Sequence, residues 1–203
     1  MQIENYLFRF QFRSCIMLHY TGPGNKRISR DEGRWRGMRL SGKTPNKTPM
    51  EIERKFLVKN LPERLETYPA LAIAQAYVST DPVIRVRRSD GNFFLTVKGE
   101  GTIAREEYET ALTAAQFAKL LAKAETETLE KTRYLIPLGG GLTAELDVYK
   151  NALSGLVTAE VEFVSLEAAE AFAPPDWFGE DVSADFRYRN VSLAVYGLPG
   201  GRE

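Results

Sequence analysis

From residue 50 onward, polar and apolar positions alternate in one short segment after another. Residues two apart on a β-strand share a face, so this alternation predicts strands. The first is 51–59, with Glu51, Glu53 and Lys55 on one side and Ile52, Arg54 and Phe56 on the other. After a connection at 62–69, further strands are predicted over 72–79, 83–89, 92–98, 103–111, 129–138, 142–149 and 156–165. Asp90-Gly91 is a hairpin turn signal between the third and fourth. One stretch breaks the two-residue period: Phe117, Leu120, Leu121 and Ala124 follow helical spacing, and Thr113 is placed to cap a helix over 114–124. A second helix start falls at Ser165, Pro174-Pro175 breaks the chain, and a last helical stretch covers 188–196.

The polar faces of these strands carry charge, and mostly one sign per strand. Acids pair at Glu107 and Glu109, Glu145 and Asp147, and Glu160 and Glu162; bases pair at Arg85 and Arg87, and at Lys131 and Arg133. Lys98 lies on the face of Thr96 and Phe94. A single doublet is ordinarily a solvated sheet face. Solubility alone, however, favours mixed signs, and like charges two residues apart repel. Cations can gather the carboxylates, and an anion can gather the guanidinium and ammonium groups.

The fold class that satisfies this pattern is mainly β (α+β). It is a closed eight-stranded antiparallel barrel with a charged lumen and helices packed on its apolar outside. Its lumen would hold eight acids and six bases, largely paired with one another because isolated buried charge is costly. Two divalent cations would leave that lumen net positive, suited to a small polyanion such as a triphosphate.

Composition narrows the chemistry. The chain has 203 residues, 43% hydrophobic and 27% charged, and a net charge of zero that hides an asymmetry. Residues 1–49 hold ten Lys/Arg against three Asp/Glu, whereas 50–203 hold seventeen against twenty-four. The single cysteine, Cys15, and the single histidine, His19, both precede residue 50. Thiol catalysis, Ser-His-Asp triads and Cys/His zinc sites are therefore excluded from 50–203, and a metal there must be a hard cation on carboxylate oxygens. The segment 1–49 reads as a basic, disordered leader ahead of a start at Met50, with neither a secretory signal nor a membrane span. The domain expected is 50–203, in a cytoplasmic protein.

The ordered set EIERK, RVR, TVK, EYE, KTR, ELD and EVE, followed by DWFGEDVSADFRYRNVSLA, resembles the CYTH superfamily of triphosphate tunnel metalloenzymes over about 150 residues. The resemblance implies a tunnel in which Mg²⁺ or Mn²⁺, two ions, assists hydrolysis of a triphosphate. It implies metal ligands at Glu51, Glu53, Glu160, Glu162 and Asp147, with Glu145 supporting, and phosphate contacts at Lys55, Arg85, Arg87, Lys98 and Arg133. Glu107 and Glu109 would orient the basic side chains. Lys131 would steer the attacking water or the leaving phosphate, with Glu53 and Glu160 completing the catalytic set. Arg187 and Arg189 compete for one more phosphate contact, with Arg189 the choice.

The expected partner is a small triphosphate, inorganic tripolyphosphate foremost, with no nucleic acid and no membrane; a homodimer is compatible with this reading. Tyr77, Phe93 and Phe94 are aromatic groups able to stack on a base, although packing in the barrel wall is their ordinary use. The alternatives are a nucleoside or thiamine triphosphatase, an adenylate cyclase of the same family, and a non-catalytic polyphosphate-binding module.

Overall fold

The computed structural model describes residues 50–101 and 103–200; the expected leader over 1–49 lies outside them. The alternating segments form β1 (Met50–Val58), β2 (Ala70–Thr80), β3 (Val83–Ser89), β4 (Asn92–Lys98), β5 (Ala104–Leu112), β6 (Leu129–Gly139), β7 (Leu142–Tyr149) and β8 (Val157–Glu162). A four-residue β9 (Phe178–Asp181) was not expected from the alternation. The helices are α1 (Ala114–Leu121), α2 (Leu166–Ala171) and α3 (Asn190–Tyr196). None among the described residues is long and apolar enough to cross a membrane.

Pairing runs β1-β5-β4-β3-β2-β6-β7-β8 and back to β1, all antiparallel, which closes an eight-stranded barrel. The β3–β4 hairpin turns at Asp90 (φ 44°) and Gly91 (φ 83°). Positive φ at both central residues is the type I′ geometry that matches strand twist. The seam between β1 and β5 is short, pairing Met50 with Glu106, Glu51 with Arg105 and Ile52 with Ala104. Farther along, β9 pairs with β1 at Phe56 and Val58. The Val182 amide donates to the Lys55 carbonyl, and the Lys55 amide to Ser183 Oγ. Successive lengths of β1 are thus held by β5 and by the C-terminal segment.

The apolar core lies outside the barrel. Phe56, Ile136, Leu146, Val161 and Phe163, on the outer positions of their segments, pack with Ala169 of α2 and Phe178 of β9. Phe56 is 1% exposed, a burial that contributes about 2 kcal/mol. Ala76 and Val86 are covered by Phe117 of α1, with Leu120, Leu121 and Ala124 around it. Leu193 of α3 packs on Leu129, Tyr149 and Leu153. On the outside, α1, α2 and β9 share the covering expected of two helices, whereas Leu129 and Tyr149 have the inward parity of Lys131 and Asp147, so α3 packs on the lumen side of its strands.

Helix limits follow local chemistry. Thr113 and Gln116 form a capping box that starts α1. The helix ends at Leu121 because Lys123 and Ala124 donate to Leu120 and Leu121, three residues back, which tightens the last turn. Ser165 caps α2 by accepting from the Ala168 amide, so β8 stops short of the expected 165. The expected helix over 188–196 divides into a 3₁₀ turn at 186–188 and α3, with extended Arg189 between them (ψ 138°).

Candidate active site

Alternation along eight closed strands turns one set of side chains inward, around a cavity of about 520 Å³. The lining includes Glu51, Glu53, Lys55, Arg85, Arg87, Lys98, Glu107, Glu109, Lys131, Arg133, Glu145, Glu160, Glu162 and Arg189. Asp147, also expected at the site, is fully buried behind that surface. Arg187 is turned away into an exposed pair with Asp185.

Arg133 is a hub. Its Nε donates to Asp147 Oδ1 at 2.7 Å, and its Nη2 to Asp147 Oδ2 at 2.7 Å and Glu160 Oε2 at 2.6 Å; Nη1 pairs with Glu145. Lys131 Nζ lies 2.5 Å from Asp147 Oδ2. Asp147 therefore pairs with Arg133 and Lys131 from behind the cavity surface. Burial opposes ionisation of Asp147, but Arg133 and Lys131 outweigh it and keep the carboxyl below its usual range. Burial, with Arg133 and Lys55 nearby, brings Lys131 down to about 8 despite the Asp147 and Glu160 charges.

Lys55 Nζ is 3.0 Å from Glu160 Oε1 and donates to the Tyr149 hydroxyl at 3.4 Å. That hydroxyl donates to Asn190 Oδ1 at 2.7 Å, tying the start of α3 to the site. On the β3–β5 side, Arg87 Nη2 donates to Glu109 Oε2 at 3.0 Å, and Arg85 Nη2 to Thr96 Oγ1 at 3.0 Å. Among the described residues, Nε of Arg85 and Nε of Arg87 are buried without a hydrogen-bond partner. Burial and the neighbouring Arg85 charge push the Arg87 pKa down. An anion in the cavity these two guanidinium groups line would relieve that repulsion.

The acids crowd in a complementary way. Glu53 stands directly across from Glu162, and Glu145 from Glu160, and like charges so placed destabilise a sheet. Burial, Glu160 and Glu51 push Glu53 up to about 7, against Arg105 and Lys98. Burial and the Glu145 charge raise Glu162 as well. Glu51 is the opposite case: burial would raise it, but Lys98, a hydrogen bond with Glu107 and Arg105 hold it at about 2. Among the described residues no three carboxylates converge on one point. The oxygens of Glu51, Glu53, Glu145 and Glu160 are turned to Lys98, Arg105, Lys55 and Arg133 instead. This donor set, all hard oxygen with excess negative charge at Glu53 and Glu162, fits a hard divalent cation.

Several residues at the site escape the charge-doublet reading. Arg105 bridges Glu51 and Glu53, and its strand position shares the parity of Glu107 and Glu109, a signal present in the sequence. Tyr77 lines the cavity and accepts from Gln75 Nε2 at 3.1 Å; both are uncharged, so charge patterning passes over them. Burial raises the Tyr77 hydroxyl to about 12, against the Arg85 charge, and keeps it a donor at neutral pH. Of the other aromatic candidates, Phe93 packs on Phe117 and Phe94 lies 5.5 Å from the Arg87 guanidinium.

Comparison with known proteins agrees with this architecture. The CYTH domain family matches residues 49–192. An inorganic triphosphatase of Nitrosomonas europaea is 44% identical over 148 residues, which is 71% of this chain and 97% of that protein. A second, from Acetivibrio thermocellus, is 36% identical over 151 residues, 70% of this chain and 92% of that one. A solved inorganic triphosphatase structure superimposes with a TM-score of 0.56 at 41% identity, covering 73% of this chain and 97% of the other. An eight-stranded barrel with a charged lumen, matched along most of its length by this family, makes the chain a member of the CYTH domain family.

Proposed function

We propose that the protein is a metal-dependent hydrolase that removes the terminal phosphate of a triphosphate, inorganic tripolyphosphate, inside the barrel. The observation that carries this reading is that Arg85 and Arg87, each with an Nε left without a hydrogen-bond partner among the described residues, line the same cavity as a cluster of surplus carboxylates. An anion binder alone gains nothing from the acids; a site that takes an anion and a divalent cation together uses both. The relatives that match most of the chain are inorganic triphosphatases, which supports the substrate class. The domain responsible is 50–203, acting in the cytoplasm on a small molecule.

In this reading Lys55, Arg85, Arg87, Lys98, Arg133 and Arg189 hold the phosphate oxygens, the arginines with planar forks that match them. Glu51, Glu53, Glu160 and Glu162 would hold Mg²⁺ or Mn²⁺, which supplies charge neutralisation and polarisation of water when bound. Glu107, Glu109, Glu145 and Asp147 keep the cations aimed into the lumen. Hydrolysis adds water across one P–O–P linkage, giving orthophosphate and pyrophosphate. Phosphoryl transfer needs in-line placement more than covalent help, which a rigid barrel wall provides. Residues 50–200 contain no imidazole, and Lys131, brought down to about 8, is the group assigned to steer the attacking water and accept its proton.

The test is phosphate release by the full chain on tripolyphosphate and on ATP, with Mg²⁺ or Mn²⁺ and with EDTA. The expected result is metal-dependent release, much faster on tripolyphosphate and lost in Glu53→Ala. Conversion of ATP to cyclic AMP and pyrophosphate would replace this reading with a cyclase. Tight tripolyphosphate binding without turnover would replace it with a binding module.

A further inference from the structure

Arg105 reaches from β5 across the barrel seam to two carboxylates that the proposed function gives to a metal ion. Its Nε donates to Glu51 Oε2 at 2.9 Å and its Nη2 to Glu53 Oε1 at 2.7 Å. The side chain is 15% exposed, so these contacts lie largely out of water. Glu51 also has Lys98, but among the described residues Arg105 is the only cation paired with Glu53. Register puts Arg105 directly opposite Glu51, so the backbone places this side chain beside the two carboxylates.

A guanidinium and a hard divalent cation compete for the same carboxylate lone pairs. With Glu162 directly across from Glu53, a positive charge held here relieves the repulsion between the ionised carboxylates in the protein without metal. We propose that Arg105 is a built-in stand-in for the metal: it balances Glu51 and Glu53 before loading, gives up Glu53 when the ion enters, and so sets the metal affinity. The exchange needs only rotation about the bonds of a long side chain, with β5 unmoved. Once released, the guanidinium remains inside the cavity wall and adds a fork for the incoming phosphates, so metal loading and anion binding favour one another. This inference rests on the metal reading given under the proposed function.

The experiment is Mn²⁺ titration of the metal-free full chain without substrate, followed by electron paramagnetic resonance of the free ion, for wild type, Arg105→Gln and Arg105→Lys. Arg105→Gln is expected to bind Mn²⁺ roughly tenfold more tightly, the worth of one charge-assisted hydrogen bond given up by a competitor. Its melting temperature in EDTA should be lower than that of wild type, and its gain on Mn²⁺ addition larger. A merely structural arginine would leave metal binding unchanged or weakened, and either result overturns the proposal. Arg105→Lys keeps the charge but cannot bridge both carboxylates, and a smaller shift in the same direction is expected. If Arg105→Gln does not fold, Arg105→Lys decides, and no shift overturns the proposal. If no variant binds Mn²⁺ while phosphate release still requires metal, the stand-in role fails and the metal reading survives. If release itself ignores EDTA, the metal reading fails and the stand-in role falls with it.

Discussion

Glu53→Gln should make the metal-free protein more stable while removing its activity. In the fold, burial and the Glu160 and Glu51 charges push the Glu53 carboxyl up to about 7 from an ordinary 4.5, net of Arg105 and Lys98. A carboxyl whose pKa is raised on folding favours the fold while protonated. That contribution is full below pH 4.5 and is lost as pH rises through 7. Above 7 the ionised group costs the whole difference, about 3 kcal/mol at 1.36 kcal/mol per pKa unit. Glutamine keeps the shape and an oxygen for Arg105 but carries no charge at any pH. Thermal unfolding in EDTA at pH 8 should therefore place Glu53→Gln roughly 6 to 12 °C above wild type for a domain of this size. The gap should shrink toward zero as the buffer approaches pH 4.5. A variant no more stable than wild type at pH 8, or equally stabilised at both ends of the range, would refute the claim that like charge accumulates at Glu53.

Three further outcomes are expected. The rate on tripolyphosphate should rise with pH to a plateau above about 8, where Lys131 becomes neutral, and Lys131→Arg should lose roughly 10²-fold or more in kcat with that limb removed from the pH profile. Arg133→Ala leaves Asp147 and Glu160 buried beside an excess of acid and should cost about 3–5 kcal/mol in urea unfolding. Asn190→Ala takes away the acceptor of the Tyr149 hydroxyl and loosens Lys55; KM for tripolyphosphate should rise roughly threefold to tenfold with kcat nearly unchanged.

The two-residue charge period makes the barrel and its inward face legible before any coordinates, because parity alone decides which side chains share a face. Parity carries no information about depth. Asp147 and Glu145 share a face, yet Asp147 lies fully buried beneath Arg133 while Glu145 reaches the cavity. Nor does a search for charge find Gln75 and Tyr77, which enter the lumen as neutral groups. Arg105 is legible in principle, two residues before Glu107, but the acid doublet that follows masks it. Strand β9 is illegible for another reason. Its four residues have no pattern of their own, and they are extended because the free edge of β1 needs partners. The division of the last helical stretch is likewise tertiary, since Arg189 leaves the helix to donate to the Gly101 carbonyl.

Alternation along the barrel strands also bears on how such a chain can vary. Adding or deleting one residue inside a strand would exchange its faces, placing carboxylates against α1 or α2 and aliphatic groups in the lumen. Substitutions cost one contact at a time, whereas a single-residue frameshift of pairing costs a whole strand. Length changes belong in the connections instead, at 59–69, at 122–128 and at 150–156. Sequence divergence among proteins of this architecture should accordingly show drifting loop lengths and nearly fixed strand lengths, with the parity of the charged positions kept even where the individual residues differ.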